Sequence, residues 1–215
     1  MKADQKKEEI LLGAARLFRR KTFSKTTIDD LAVSLKINKA TIYYYFKDKT
    51  DLLYWIMCSS TDEYLKQVKS VIATSVLPPE KLEALVKTHI NYATNYNNSF
   101  AGISYFEMKN LPRRLAKSYI LKRDEYEHFL FEIIQEGTLM GYFRENDPSM
   151  TARFILGLLN SVIVWFRESG PLSSNQVAEE IWKFIARSIC LHYEPRDADS
   201  PQMINLNIQG GGAGW

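Results

Sequence analysis

Cysteine is scarce in this chain. Only Cys58 and Cys190 occur in 215 residues. They lie far apart, with no Cys-x-x-Cys pair and no neighbouring ligand set, which speaks against a zinc site or a disulfide framework and fits a reducing cytoplasm. Histidine is equally sparse. His89, His128 and His192 fall on separate expected helices without a Ser or Cys nucleophile motif, so no enzyme is expected. Long hydrophobic runs are missing as well. The longest apolar stretch, Phe154 to Phe166, includes Gly157, Asn160 and Ser161 and is shorter than the ~20 residues that span a bilayer. The N-terminal MKADQKKEEILLGAARLF carries acids ahead of its apolar part and has no secretory cleavage pattern. The GGGAG run near the end lacks the Lys-Ser/Thr of a phosphate loop, and residues 194–215 are expected to form a disordered tail.

What remains is an ordinary globular composition, 46% hydrophobic and 25% charged, which excludes bulk disorder and collagen-like scaffolds. The net charge of +3 is unevenly placed. Residues 1–53 hold twelve Lys/Arg against seven Asp/Glu, net +5, whereas residues 54–215 are net −2. A basic front on a near-neutral body suits a phosphate-binding head with a separate partner domain.

Helical period runs through nearly the whole chain. Ile10, Ala14, Leu17 and Phe18 make one apolar stripe over Glu9 to Phe18. Thr27, ahead of Asp29, Asp30 and Leu31, caps a short second helix that ends near Leu35. Asn38 caps a third helix, Lys39 to Phe46, and Asp48 with Asp51 opens a long fourth, Lys49 toward Ser70. Two short helices across a tight turn, preceded by a packing helix, form a helix-turn-helix. On the third helix Ile42 and Phe46 share one side, leaving Ala40, Thr41, Tyr44 and Tyr45 on another. A free face of small, hydroxylated and aromatic side chains can enter a groove, and Lys39 adds a donor suited to guanine.

The segment TTIDDLAVSLKINKATIYYYFKDKTDLL, Thr26 to Leu53, resembles the DNA-binding signature of the tetracycline-repressor (TetR) family, most of all in its ATIYYYFKDKTDLL end. By position, the resemblance implies that Thr27 caps the second helix and holds a phosphate, that Lys39, Ala40, Thr41 and Tyr44 face bases, and that Tyr43, Tyr45 and Lys49 grip the backbone. Thr22 and Lys36 stand where the family has glycine, which implies mild left-handed strain at both. Asp29 stands where some members carry a base-reading cation. The implied fold is all-α: an N-terminal three-helix DNA-binding domain with helix-turn-helix over residues 1–53, then a larger helical ligand-binding and dimerisation domain over 54–193.

In that second part, helices are expected from near Glu80 to Asn95, over Ser99 to Met108, from Pro112 to Gly137 or Gly141, from Asp147 to about Gly170, and from Gln176 to about His192. Phe154, Ile155, Leu158, Leu159, Val162, Ile163 and Phe166 cover more than one side of their helix, which demands burial from two directions. Together with Val177, Ile181, Phe184, Ile185 and Ile189 they are expected to form a homodimeric four-helix interface.

The run from Leu111 to Phe143, and that from Asp147 to Ser173, resemble the branch of the family that senses acyl-coenzyme A thioesters; its features are Arg113-Arg114, Arg123-Asp124, Tyr126, Gly137, Asn160, Trp165 and Gly170. The resemblance implies a repressor released from a palindromic DNA operator by a small hydrophobic effector, an acyl-CoA, with no resident cofactor or metal. Phe106, Arg114, Arg123, Tyr126, Asn160 and Trp165 are the expected ligand contacts. Tyr92, Tyr96, Phe100, Tyr105, Met108, Phe129, Met140 and Arg167 are further candidates for the lining. Two other readings stand beside this one: a helical-bundle metal enzyme, prompted by one Glu-x-x-His spacing at Glu125 and His128, although such sites need two copies; and a DNA-binding protein without an effector.

Overall fold

The computed structural model describes residues 2–73, 77–95 and 102–192. Tyr96, Phe100 and the expected tail lie outside them. Nine α-helices follow in order among the described residues: α1 (Lys2–Lys21), α2 (Ile28–Leu35), α3 (Lys39–Tyr45), α4 (Lys49–Ile72), α5 (Pro78–Thr94), α6 (Ile103–Glu107), α7 (Arg113–Leu139), α8 (Pro148–Trp165) and α9 (Ser174–Ile189). The all-α architecture is as expected.

Local chemistry sets most helix ends. Thr27 accepts from the Asp30 N–H while the Asp30 carboxylate accepts from the Thr27 N–H, a reciprocal cap that opens α2. Ser173 and Gln176 repeat that arrangement at α9. Asn38 caps α3 and Asp147 caps α8. Pro78 and Pro79 open α5 at positions where a missing N–H costs nothing. α2 ends with Lys36 in the left-handed region, φ 53°, while Ile37 N donates to Ala32 O at 3.0 Å. Thr22 is left-handed too, φ 65°, so the strain expected at both positions is present.

Two apolar cores divide the molecule. Ile10, Ala14 and Phe18 of α1, Leu31 of α2, Ile42 and Phe46 beside α3, and Leu52, Leu53 and Ile56 of α4 fill the first. Gly13 makes this packing possible, because a Cβ there would meet the Leu35 side chain at 2.1 Å. The second core joins α4, α5, α7, α8 and α9 through Leu82, Leu85, Leu130, Ile134, Leu159 and Val162. α4 runs unbroken across residue 53 and contributes to both cores. Ile103, Leu111 and Tyr119, far along the chain, complete the N-terminal core.

Several expectations change. α1 starts well before Glu9. α8 stops at Trp165 rather than near Gly170, because Phe166 turns to extended backbone and the Arg167 guanidinium donates to Val164 O and Phe166 O at 3.0 and 2.9 Å. The apolar positions of α8 and α9 also divide differently. Ile155, Leu159, Val162, Val177, Ile181 and Ile185 are spent on this chain's own core. Phe154, Val164, Trp165 and Phe184 remain 68%, 47%, 50% and 64% exposed. Length and composition alone would let α8 cross a membrane; its inner face is instead packed on the core.

Candidate DNA-reading face and ligand cavity

α3 is held by one side only. Ile42 and the adjoining Phe46 are buried, while Lys39, Ala40, Tyr43 and Tyr44 are exposed and Thr41 and Tyr45 are partly covered. Tyr45 packs against the core edge and meets Tyr44 edge to face, ring centres 4.9 Å apart. None of the described residues in the second half covers this face.

The cations around it are less free than the sequence suggests. Lys39 forms an ion pair with Asp29 of α2, tying the two helices of the motif together. Lys49 donates to Phe23 O at 2.9 Å and Thr26 O at 2.8 Å, and its ammonium lies 4.2 Å from the Phe23 ring centre. Two of its three protons thus hold the α1–α2 turn. The Thr27 hydroxyl donates to Asp30 at 2.8 Å. The bonds from Thr27, followed by the one from Lys21, hold the Asp30 carboxyl down to a pKa of about 2.

A cavity of about 350 Å³ opens where α4, α5, α7 and the α6 segment converge, within the usual size for small-ligand sites. Arg123, Tyr126 and Asn160 line it, as do Tyr92, Tyr105 and Met108. Phe106, Arg114 and Trp165 do not. Phe106 and Trp165 are half exposed, Arg114 sits in the exposed first turn of α7, and the Trp165 indole donates to Ser161. Phe129 packs at the edge of the larger core, Met140 lies exposed past α7, and Arg167 closes the end of α8.

Sequence reasoning missed the polar wall of the cavity: Ser60, Thr61 and Tyr64 of α4, His89 of α5, Ser104 of α6, and Tyr119 of α7. A signal existed, since Tyr119, Arg123 and Tyr126 recur at helical spacing along α7, as do Ser60, Thr61 and Tyr64 along α4. These groups bond to one another. Tyr92 donates to Ser60 O at 2.9 Å, Thr61 donates to Met57 O at 3.0 Å, and the hydroxyls of Tyr64 and Tyr126 each lie 3.0 Å from His89 Nδ1. Burial lowers the His89 pKa to about 4, so the ring is neutral near pH 7, and burial raises both tyrosine pKa values.

A hydrogen bond joins this region to the N-terminal helices. The buried Glu107 carboxylate, at the end of α6, accepts the Phe23 backbone N–H at 3.1 Å. The Glu-x-x-His pair is dispersed: Glu125 pairs with Lys69 and His128 with Glu132. Among the described residues no group of three or more His, Cys, Asp or Glu is arranged to hold a metal.

Comparison with known proteins adds the following. Residues 10–54 match the family model described as bacterial regulatory proteins, tetR family, and residues 75–189 match the tetracyclin repressor-like C-terminal domain. The HTH-type transcriptional repressor KstR2 of Mycolicibacterium smegmatis is 26% identical over 81% of this chain and 86% of its own length. The fatty acid metabolism regulator protein of Bacillus subtilis is 23% identical, covering 72% and 80%. Among solved structures, AibR in complex with isovaleryl coenzyme A and operator DNA superimposes with a TM-score of 0.77 at 25% identity, covering 85% of this chain and 97% of that one. The regulator PfmR from Thermus thermophilus gives 0.76 at 30% identity, covering 83% and 97%.

Proposed function

Because the chain belongs to the tetracycline-repressor family of bacterial regulatory proteins, we propose that it is a cytoplasmic, ligand-responsive repressor without catalytic activity. It works as a homodimer on a palindromic operator and is released by a small effector, an acyl-CoA thioester. The observation that carries this reading is the open face of α3, with Lys39, Ala40, Tyr43 and Tyr44 exposed above a buried Ile42. Residues 1–53 act as the DNA-binding unit and 54–193 as the unit for ligand and partner.

Each α3 enters a major groove, where Lys39, Ala40, Thr41 and Tyr44 meet base edges and Tyr43 and Tyr45 meet phosphates. Thr27 sits at the exposed N-terminus of α2, whose free N–H groups favour a phosphate. Lys49 keeps one proton for the backbone while its other two steady the turn. The exposed apolar side chains of α8 and α9 supply the two-fold contact that sets the half-sites roughly 34–36 Å apart.

The effector occupies the cavity between α4, α5 and α7, with Arg123 and Asn160 toward solvent. A coenzyme carries phosphates that arginine recognises, and the similar AibR binds isovaleryl coenzyme A and operator DNA. Phe106, Arg114 and Trp165 contribute only if ligand entry draws them in. A hundredfold loss of operator affinity requires the effector to favour the released state by about 2.7 kcal/mol.

The test selects genomic fragments on the purified protein and repeats the binding on the recovered site by gel shift, with acyl-CoA thioesters of increasing chain length added. Release by one or more thioesters is expected. Bound DNA that ignores them all would discard the effector class while leaving the DNA-binding assignment in place.

A further inference from the structure

One cluster in the cavity wall is left unfinished by the protein itself. His89 is nine-tenths buried, and its Nδ1 lies 3.0 Å from the hydroxyls of both Tyr64 and Tyr126; all three residues line the cavity. The imidazole is neutral, so the three groups hold three protons: two on hydroxyls and one on the ring.

Nδ1 serves one strong bond at a time. With the ring proton on Nε2, one tyrosine donates to Nδ1, which leaves Nε2–H over. With the proton on Nδ1, it donates to one tyrosine, and an O–H is left over. In both tautomers at least one donor finds no acceptor within the three groups. The neighbouring hydroxyls differ: Tyr92 ends on Ser60 O and Thr61 on Met57 O. A donor on the cavity wall without a protein acceptor gains from a ligand oxygen.

We propose that Tyr64, His89 and Tyr126 form a specificity-determining subsite that receives a carbonyl-class oxygen of the effector. This rests on reading the cavity as the effector site. The oxygen comes either from the thioester carbonyl or from a ketone on the acyl group. A wholly hydrocarbon ligand leaves the spare proton buried and is rejected.

The first test needs no coenzyme. Acetophenone and ethylbenzene, matched in shape but for the oxygen, are titrated into the full chain by heteronuclear NMR. The ketone is expected to bind about tenfold tighter or more. That preference should fall toward unity in His89→Phe and in the double variant Tyr64→Phe/Tyr126→Phe, each first checked for a cooperative melt. The double variant keeps the imidazole, so the two report independently should one fail to fold. Equal binding of the two probes, binding of neither, or a preference unchanged in a folded variant overturns the inference.

The second test compares hexanoyl-CoA, its 3-oxo derivative and the carbonyl-free thioether S-hexyl-CoA. A thioester bound more tightly than the thioether assigns the subsite to the thioester carbonyl, and a further gain from the 3-oxo group assigns it to an acyl ketone. Three equal affinities count against it. If none of these compounds releases DNA while acetophenone is still preferred, the acyl-CoA assignment fails and the oxygen subsite stands.

Discussion

Thr22 and Lys36 occupy backbone that glycine would adopt at no steric cost. A left-handed L-residue is disfavoured by about 1–2 kcal/mol, offset in part by the greater freedom glycine has when unfolded. Thr22→Gly and Lys36→Gly are each expected to stabilise by about 0.5–1 kcal/mol, raising Tm by roughly 2–4 °C at most for a chain of this size; calorimetry that finds both melting lower would contradict the strain. His89 gives a pH dependence. Its folded pKa of about 4 lies below the free value of 6.5, so in that interval the unfolded chain holds the extra proton. Its contribution is whole above pH 6.5 and is lost as pH falls toward 4. Wild-type Tm should drop across this window more steeply than that of His89→Phe, and parallel curves would sink the assignment. The sequence marked the strained pair through missing glycines. It did not mark His89, because a lone histidine among apolar neighbours looks the same whether it lines a cavity or fills a core.

For whole helices, caps were the most legible feature. Thr27, Asn38 and Asp147 each announce a start that the structure places at the next residue, while α9 begins at Ser174, two residues ahead of the expected Gln176. The end of α8 was not legible, since it depends on where the Arg167 side chain folds back. Periodicity located the apolar faces of α8 and α9 but could not say which of two neighbours each side meets; Ile181 and Phe184 differ by three positions and face opposite surroundings. On α3 the division between backbone grip and base reading predicts two phenotypes. Tyr43→Ala should weaken all DNA sequences alike, while Lys39→Ala should relax preference at one base pair by about 1–3 kcal/mol. Binding titrations on matched and mismatched sites separate them. Lys39 must also leave or share Asp29 on docking, so Asp29→Asn is expected to alter the preferred sequence more than the stability.

For the molecule as a whole, exposed Phe154, Val164, Trp165 and Phe184 form more apolar surface than a lone protomer needs. Replacing Phe154 and Phe184 together by Asp should halve the mass seen by light scattering, preserve the helical circular dichroism, and abolish tight operator binding. A variant that stays dimeric would place the two-fold axis elsewhere. The bond from Glu107 to Phe23 N–H bears on how such a dimer responds. The head is bolted to the rest of the protein at the continuous α4, at the end of α6 and at Tyr119 of α7, and each mount also supplies a wall of the cavity. A plate on such mounts tilts when the gaps between them change. A guest that wedges those walls apart is therefore expected to re-aim α3, and a larger guest to re-aim it further.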